Sequence, residues 1–163
     1  MRVLSNTSPL MNLAAIGRQD VLRELFGEVL ATPAVLEELE AGGAGAPAAD
    51  ARGWPWLSLY SPQNADTVRV LTLHLDRGEA QTLAAALETK PDLVLLDDKL
   101  GRRVAANLGV AVLGTVGVLL AAKRKGLLPA LQPVLDDLRH KAGFWISDAV
   151  YRQALVLAEE STQ

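Results

Sequence analysis

The 163-residue chain has 16 basic and 19 acidic residues, a net charge of −3, and half of its residues are apolar. A protein that coats nucleic acid would be basic, so this balance argues against broad electrostatic binding while permitting a local basic patch. The chain has no cysteine, which excludes disulfides and thiolate metal sites, and its length fits one domain, residues 1–163.

The first half of the chain alternates between strand-like and helix-like patterns. "MRVLS" predicts a short strand, and "TSPLMNLAAIG" and "QDVLRELFG" predict helices, with Ser8 expected to cap the first and Pro9 at its first position. "EVLAT" predicts a second strand, and Thr32-Pro33 opens the helix "PAVLEELEAG". Residues 42–53, "GGAGAPAADARG", predict an exposed loop rich in glycine and alanine.

The second half repeats this alternation. "WLSLY" predicts an edge strand, and "NADTVRVLTLH" and "DRGEAQTLAAALETK" predict helices. "LVLLD" and "VAVLG" are typical of strands buried on both faces, with the helix "KLGRRVAANLG" between them. Three further helices end the chain. This order predicts an α/β protein, a three-layer α/β/α sandwich with a central, mostly parallel sheet.

Neither end of this pattern suggests a membrane segment. Residues 1–10 lack the basic start and apolar core of a signal peptide, and no apolar run reaches the length of about 18 residues that a membrane span needs. We therefore expect a cytoplasmic protein. Aromatic residues are only 4% of the chain, so Trp54, Trp56 and Trp145 are expected to be core or loop anchors rather than a platform for stacked bases.

Polar side chains follow the ends of several predicted strands. Ligands of parallel sheets bind beyond the carboxyl ends of the strands, where the strand order reverses. The candidates there, including acidic residues on helices that could face the same edge, are Asn6, Glu38, Glu79, Asp97, Asp98 and Thr115. Each also has a purely structural explanation as a turn, helix-cap or solvated residue, such as the capping box that Asp76 and Glu79 would form.

Taken together, these residues indicate a site for a hard cation. Three or four carboxylates cannot remain ionised and close without one, and Mg²⁺ or Mn²⁺ prefers such oxygen ligands. His74 and His140 are isolated in the sequence and are expected at the surface, so zinc is disfavoured. The chain has no glycine-rich nucleotide-binding motif and no nucleophile elbow.

The chain resembles the PIN-domain nucleases over nearly its whole length. The similar segments are "VLSNTSPL" with Asn6, "TPAVLEEL" with Glu38, "RGEAQTLA" with Glu79 and "LLDDKLGRR" with Asp98. "GTVGVLL" and "GFWISDAVY" complete the likeness to one prokaryotic, VapC-like branch. Most PIN nucleases have aspartate where this chain has Asn6, although the similar branch tends to share the asparagine.

The resemblance implies a Mg²⁺- or Mn²⁺-dependent ribonuclease, the toxin of a type II toxin–antitoxin pair. Glu79 and Asp98 would hold the metal directly, and Glu38 and Asn6 would hold the metal or its waters. Asp97 would orient these groups or cap a helix, and Thr115 would donate to a water or a phosphate, or cap the next helix. Three basic residues just past Asp98 would contact RNA phosphates: Lys99, Arg102 and Arg103.

Partners are also expected. The segment "VGVLLAAKRKGLLPALQPVLDDL" and the final helix have more leucine and valine than one buried stripe needs, which favours a partner surface. The resemblance implies a homodimer and a small antitoxin that blocks the acidic pocket. We expect the dimer to form through helices between about residues 10 and 40 or through the C-terminal pair. Because Asn6 replaces an acidic residue, a weak or inactive PIN fold that binds RNA or protein stays open, whereas a phosphotransfer enzyme is disfavoured.

Overall fold

The computed structural model describes residues 1–160, and within them five parallel strands form one sheet. The strands are β1 (Val3–Ser5), β2 (Val29–Ala31), β3 (Leu57–Leu59), β4 (Leu93–Leu95) and β5 (Val112–Leu113). Their spatial order is β3-β2-β1-β4-β5. The chain thus builds outward from β1 on one side and then crosses to β4 and β5 on the other, so the order reverses between β1 and β4.

Helices connect the strands, as the alternating pattern predicts. They are α1 (Thr7–Ala15), α2 (Asp20–Phe26), α3 (Pro33–Glu40), α4 (Ala65–Leu71), α5 (Arg77–Thr89), α6 (Lys99–Asn107), α7 (Thr115–Arg124), α8 (Gln132–His140) and α9 (Asp148–Leu157). Several begin with the predicted caps. Thr32 accepts the N–H of Val35 at the start of α3, and Asp76 and Glu79 form a reciprocal capping box at the start of α5.

The core lies on both faces of the sheet, because successive strand residues point to opposite sides. Val3 and Leu95 belong to one apolar cluster with α1, α2, α3, α7, α8 and α9. Leu4, Val94 and Leu96 belong to the other, with residues of α4, α5 and α6. Helices therefore cover both faces, which confirms the predicted three-layer α/β/α sandwich.

Two local predictions are wrong. Asn6, not Ser8, occupies the N-cap position of α1, so Ser8 is the second residue of that helix and Pro9 the third. Strand β5 lies at the edge of the sheet and is only half-buried, because no strand of the described chain pairs with its outer side. The apolar run "VAVLG" indicates that helices cover both faces of the strand. It does not indicate whether the strand has a neighbour on each side in the sheet.

The predicted loop 42–53 is exposed only in part. Gly42, Gly43 and Gly45 are exposed, but Ala48 and Ala51 are buried in the larger apolar cluster. Residues 51–53 form a single 3₁₀ turn. Alanine is small and apolar, so Ala48 and Ala51 pack against the core, while Asp50 and Arg52 between and beside them stay exposed.

The three tryptophans have different environments. Trp54 and Trp56 are buried and their rings stack with centroids 5.2 Å apart, as expected of anchors. Trp145 is 83% exposed, so the expectation that it anchors a core or a loop is wrong. His74 and His140 are exposed, as predicted. None of the helices in residues 1–160 combines the length and the apolar character that crossing a membrane requires.

Candidate metal and active site

The acidic residues meet in a cavity where the strand order reverses. The N–H of Asn6 donates to the carbonyl of Leu95 at 2.9 Å, and the N–H of Leu96 donates to that of Leu113 at 3.0 Å, so the ends of β1, β4 and β5 lie side by side. The cavity has a volume of about 380 Å³. Its polar lining comprises Asn6, Thr7, Ser8, Asn12, Glu38, Asp76, Glu79, Asp97 and Asp98. No basic side chain of the described residues lines it.

Asn6 directs its side chain into the cavity. It is the N-cap residue of α1 by its backbone, yet its side chain makes no capping hydrogen bond. It is 6% exposed, and its Oδ1 lies 3.4 Å from Thr82 Oγ1, whose own hydrogen bond goes to the carbonyl of Gly78 at 2.8 Å. Because an asparagine at this position normally caps the helix, the lack of a capping hydrogen bond from its side chain is the more informative feature.

Glu79 and Asp98 are adjacent carboxyls. Glu79 Oε1 accepts the N–H of Asp76 at 3.2 Å in the capping box, and Asp98 Oδ2 accepts the N–H of Gly101 at 2.7 Å at the start of α6. Each therefore has its expected structural role as well as a place in the cavity. Burial of Glu79 and its hydrogen bonds with Asp98 and Asp76 raise the pKa of the Glu79 carboxyl to about 8. This corner of the cavity thus holds more negative charge than it can keep ionised.

Glu38 reaches the cavity from α3. It is half-buried and accepts a hydrogen bond from the hydroxyl of Thr7. Its carboxylate rests on Gly78, where an added Cβ would lie 2.5 Å from Glu38 Oε1. Its neighbour Glu37 is exposed and pairs with Arg77, so Glu37 is the solvated member of the pair.

Asp97 is held by donors of its own chain. Its Oδ1 accepts the N–H of Thr115 at 2.7 Å, and its Oδ2 accepts the hydroxyls of Thr115 at 2.6 Å and Ser8 at 2.9 Å. The Ser8 hydroxyl in turn accepts from Asn12 Nδ2 at 2.9 Å. Asp97 therefore joins the start of α7 to α1, which agrees with an orienting role. Thr115 is buried with its hydroxyl committed to Asp97, and Gly114 rather than Thr115 is the N-cap residue of α7.

The three basic residues of α6 are exposed, but they are not equivalent. Lys99 and Arg103 do not line the cavity. Arg102 extends towards Gly114, where an added Cβ would lie 3.2 Å from Arg102 Nη1 and 2.9 Å from Asp97 Oδ1. Arg102 is thus the cation that approaches the acidic cavity.

Several polar residues of the site were missed by the sequence analysis. Thr7, Asn12 and Thr82 support Glu38, Ser8 and Asn6, and Asp76 lines the cavity as well as capping α5. A signal for one pair was present. Ser8 and Asn12 are four residues apart, so both lie on one face of α1, the face towards the sheet edge. An apolar pair would otherwise be expected there.

The donor set fits a hard divalent cation. Among residues 1–160 no group of three or more His, Asp and Glu side chains is arranged so that it could hold a metal ion as it stands. Mg²⁺, however, is commonly held by one or two carboxylates together with other oxygen donors and water. Glu79 and Asp98 supply contacting carboxyls and Asn6 supplies an amide oxygen. A cation beside them would also offset the effects of burial and of the neighbouring carboxyls, which together raise the pKa of Glu79.

The sheet is parallel and covered by helices, and an acidic cavity lies where its strand order reverses. The protein is therefore an α/β protein with a cluster of carboxyls at the switch point of its sheet. A family model described as a PIN domain (DUF3368) matches residues 2–160, and the chain therefore belongs to the PIN-domain family. That fold is of the nuclease type, and PIN-domain nucleases generally use divalent metal ions. No curated protein matches the chain.

Proposed function

We propose that the protein is a Mg²⁺- or Mn²⁺-dependent endoribonuclease that hydrolyses RNA phosphodiester bonds. The observation that carries this proposal is the side chain of Asn6, which makes no capping hydrogen bond. It lines the same cavity as the contacting carboxyls of Glu79 and Asp98. A site with only structural purposes would use the Asn6 side chain to cap α1. It would also avoid placing a second carboxyl, that of Asp98, against the buried carboxyl of Glu79.

Each residue of the site has a distinct role in this proposal. Glu79 and Asp98 would hold the cation directly, and Asn6 and Glu38 would hold the cation or its waters. When bound, the cation would lower the pKa of a water molecule and neutralise charge on the phosphate. Asp97 would fix α7 against α1 and so keep Asp98 in place, since the two aspartates are adjacent in the chain.

The ribonuclease can be tested with the purified full-length chain and a mixture of single-stranded RNAs. We expect cleavage with Mn²⁺ or Mg²⁺ and none with EDTA. Asp98→Asn should abolish cleavage without unfolding the protein, because asparagine also caps helices. Asp66→Asn is the matched control, since it removes one negative charge from an exposed position on α4. Absence of cleavage with either metal, or cleavage that survives Asp98→Asn, would overturn the proposal.

We further propose that this nuclease is a toxin neutralised by a small antitoxin. The acidic cavity supports this, since a guanidinium group can pair with two carboxylates in place of a cation. Expression of the chain in a bacterial host should arrest growth, and Asp98→Asn should restore it. The product of a small neighbouring gene, if it is the antitoxin, should restore growth and bind the wild-type chain. Normal growth on expression of an active nuclease would contradict the toxin role.

A second function is favoured by the same cavity. Asn6 replaces a charged ligand of most PIN nucleases, and the described residues contain no ready group of three acidic or histidine ligands. A catalytically weak or inactive fold that binds RNA or protein would have these properties. RNA binding that is independent of Mn²⁺, with no cleavage at any metal concentration, would favour this second function.

A further inference from the structure

A second cavity lies beside the acidic one, between α6, the start of α7 and residues 144–150. Its volume is about 450 Å³, within the range of sites that hold a small ligand. The lining is mostly apolar and includes Leu113, Phe144, Ile146 and Val150, together with Trp145. Trp145 is 83% exposed, so one large aromatic ring stands open to solvent at this cavity.

The lining of this cavity includes one basic side chain. Arg102 lines it, and among the described residues its side chain forms no ion pair or hydrogen bond. Its guanidinium lies over Gly114, and the lack of a side chain at Gly114 leaves room for it, since a Cβ there would come within 3.2 Å of Nη1. Arg102 therefore has its donors free at the point where the second cavity approaches the site.

Asp97 lines both cavities, so they lie next to each other. Its carboxylate accepts three hydrogen bonds from Thr115 and Ser8, which leaves it little capacity to pair with Arg102. A chain that places one phosphate at the acidic cavity would therefore have its neighbouring nucleotide beside Arg102 and Trp145.

We infer that this second cavity binds one unpaired nucleotide of single-stranded RNA, next to the phosphate that is cleaved. The base stacks on Trp145 and the phosphate is bound by Arg102. Choosing RNA as the ligand rests on the proposed function. The chemistry of the cavity supports it independently, because an aromatic face binds any base and a guanidinium binds phosphate oxygens. The apolar side chains by themselves would also fit a protein partner. An apolar partner, however, would give the free guanidinium of Arg102 nothing to bind.

Binding of a short, labelled, mixed-sequence single-stranded RNA to the metal-free full-length chain, followed by fluorescence anisotropy, tests this inference. Trp145→Ala should weaken binding about tenfold, and Trp145→Tyr should bind within about threefold of the wild type because it keeps an aromatic face. Arg102→Gln should weaken binding by a similar factor and reduce the salt dependence of Kd. The same RNA as a duplex should bind more weakly, because its bases are already stacked.

Two matched controls separate the cavity from the rest of the surface. Leu157→Ala removes an exposed apolar side chain at the far end of α9, and Arg23→Gln removes a cation from the end of α2, which leads into the amino end of β2. Both should bind RNA as the wild type does. Quenching of tryptophan fluorescence by the RNA provides a second readout, since Trp54 and Trp56 are buried and Trp145 is the exposed ring.

The outcomes distinguish this inference from the proposed function. If the wild type cleaves RNA while Trp145→Ala and Arg102→Gln bind it normally, the inference is wrong and the nuclease stands. If the variants lose RNA binding but the wild type cleaves nothing, the second cavity binds a nucleotide as inferred and the nuclease fails. If Trp145→Ala leaves RNA binding intact but abolishes self-association in sedimentation, the cavity is a protein interface and the inference is wrong.

Discussion

At Glu79 a single carboxyl has two purposes. Oε1 completes the capping box of α5 with the N–H of Asp76, while Oε2 lies towards Gly101 and α6, where a Cβ would be 3.2 Å away. The pKa of Glu79 is raised to about 8, above its ordinary value of 4.5. The metal-free folded state therefore retains a proton that the unfolded chain releases, and stability should fall as pH rises from about 4.5 to about 8.

The first prediction concerns this proton and the metal. Because a cation must displace the proton, the rise in Tm caused by Mn²⁺ should increase between about pH 6 and pH 8. Glu79→Gln should abolish the Mn²⁺ effect. In the metal-free protein near pH 8 it should raise the free energy of unfolding by about 1 kcal/mol, because it removes the ionisable group. Thermal melts across pH measure both. No Mn²⁺ effect at millimolar concentration would contradict the site.

The second prediction concerns Asn6. Asn6→Asp adds a carboxylate beside Glu79 and Asp98, so the metal-free protein should melt at a lower temperature. With Mn²⁺ present, binding should tighten by about tenfold and any nuclease rate should rise, since a charged ligand attracts the cation more strongly. Calorimetry and an RNA cleavage assay measure these effects. A lower rate would show that asparagine is a tuned ligand here.

At the scale of elements, Asp97 is the residue that joins three of them. It follows β4, accepts two hydrogen bonds from the first residue of α7, and accepts a third from Ser8 on α1. The acidic cavity therefore depends on where α1 and α7 meet.

The third prediction tests this junction. Thr115→Val keeps the shape of a buried side chain but removes a hydroxyl donor from a carboxylate, which should lower the free energy of unfolding by about 1.5 kcal/mol. Thr115→Ser should restore most of it. Thr89→Val is the control, since the Thr89 hydroxyl donates only to the carbonyl of Ala85 and should cost less than about half as much. Urea unfolding measures the difference, and equal losses at the two positions would argue against the junction.

The fourth prediction concerns the contact between α3 and α5. Gly78→Ala would place a Cβ 2.5 Å from Glu38 Oε1, so the Glu38 carboxylate must move away from the cavity. We therefore expect weaker Mn²⁺ binding. The free energy of unfolding should change by less than about 1 kcal/mol, because the higher helix propensity of alanine offsets the cost of the clash. Gly53→Ala is the matched control, since nothing lies within 4 Å of its Cβ position. Unchanged Mn²⁺ binding in Gly78→Ala would show that Glu38 is not part of the metal site.

At the scale of the molecule, the leucine-rich segment after β5 belongs to the core. Val118, Leu119, Leu131, Leu135 and Leu138 are buried within the chain itself. The surplus apolar content read from the sequence there is therefore used in folding and gives no reason to expect a partner. Exposed apolar side chains are found elsewhere on α9, where Val150, Val156 and Leu157 are open to solvent.

The fifth prediction is the oligomeric state. We expect a homodimer, and of the two surfaces expected from the sequence the exposed residues of α9 favour the C-terminal one. Light scattering of the isolated chain should give twice the mass of 17.4 kDa, and Val156→Glu should shift it towards the monomer. Val70→Glu, on the exposed face of α4, is the control. A monomer at high micromolar concentration would exclude the dimer.

The sequence by itself determined the alternation of elements and many of their boundaries. Thr32 and Asp76 cap the helices that follow them, because capping depends on residues within one turn of each other. The burial of Val94 and Leu95 in β4 was also predicted, since a strand covered on both faces has no polar interruption. The convergence of Asn6 and Asp98 followed from the rule that parallel strands end at a common edge. Glu79 lies on α5, so the rule did not cover it.

The tertiary structure alone decided what each polar atom contacts. Whether Asn6 caps α1, and whether Ser8 caps it or binds Asp97, depends on side chains about 90 residues away in sequence. The edge position of β5, the burial of Ala48 and Ala51 and the exposure of Trp145 likewise depend on which surfaces meet. A sequence pattern shows whether a surface is apolar or polar, whereas the fold determines which other surface packs against it. The distance between two side chains is fixed only by packing.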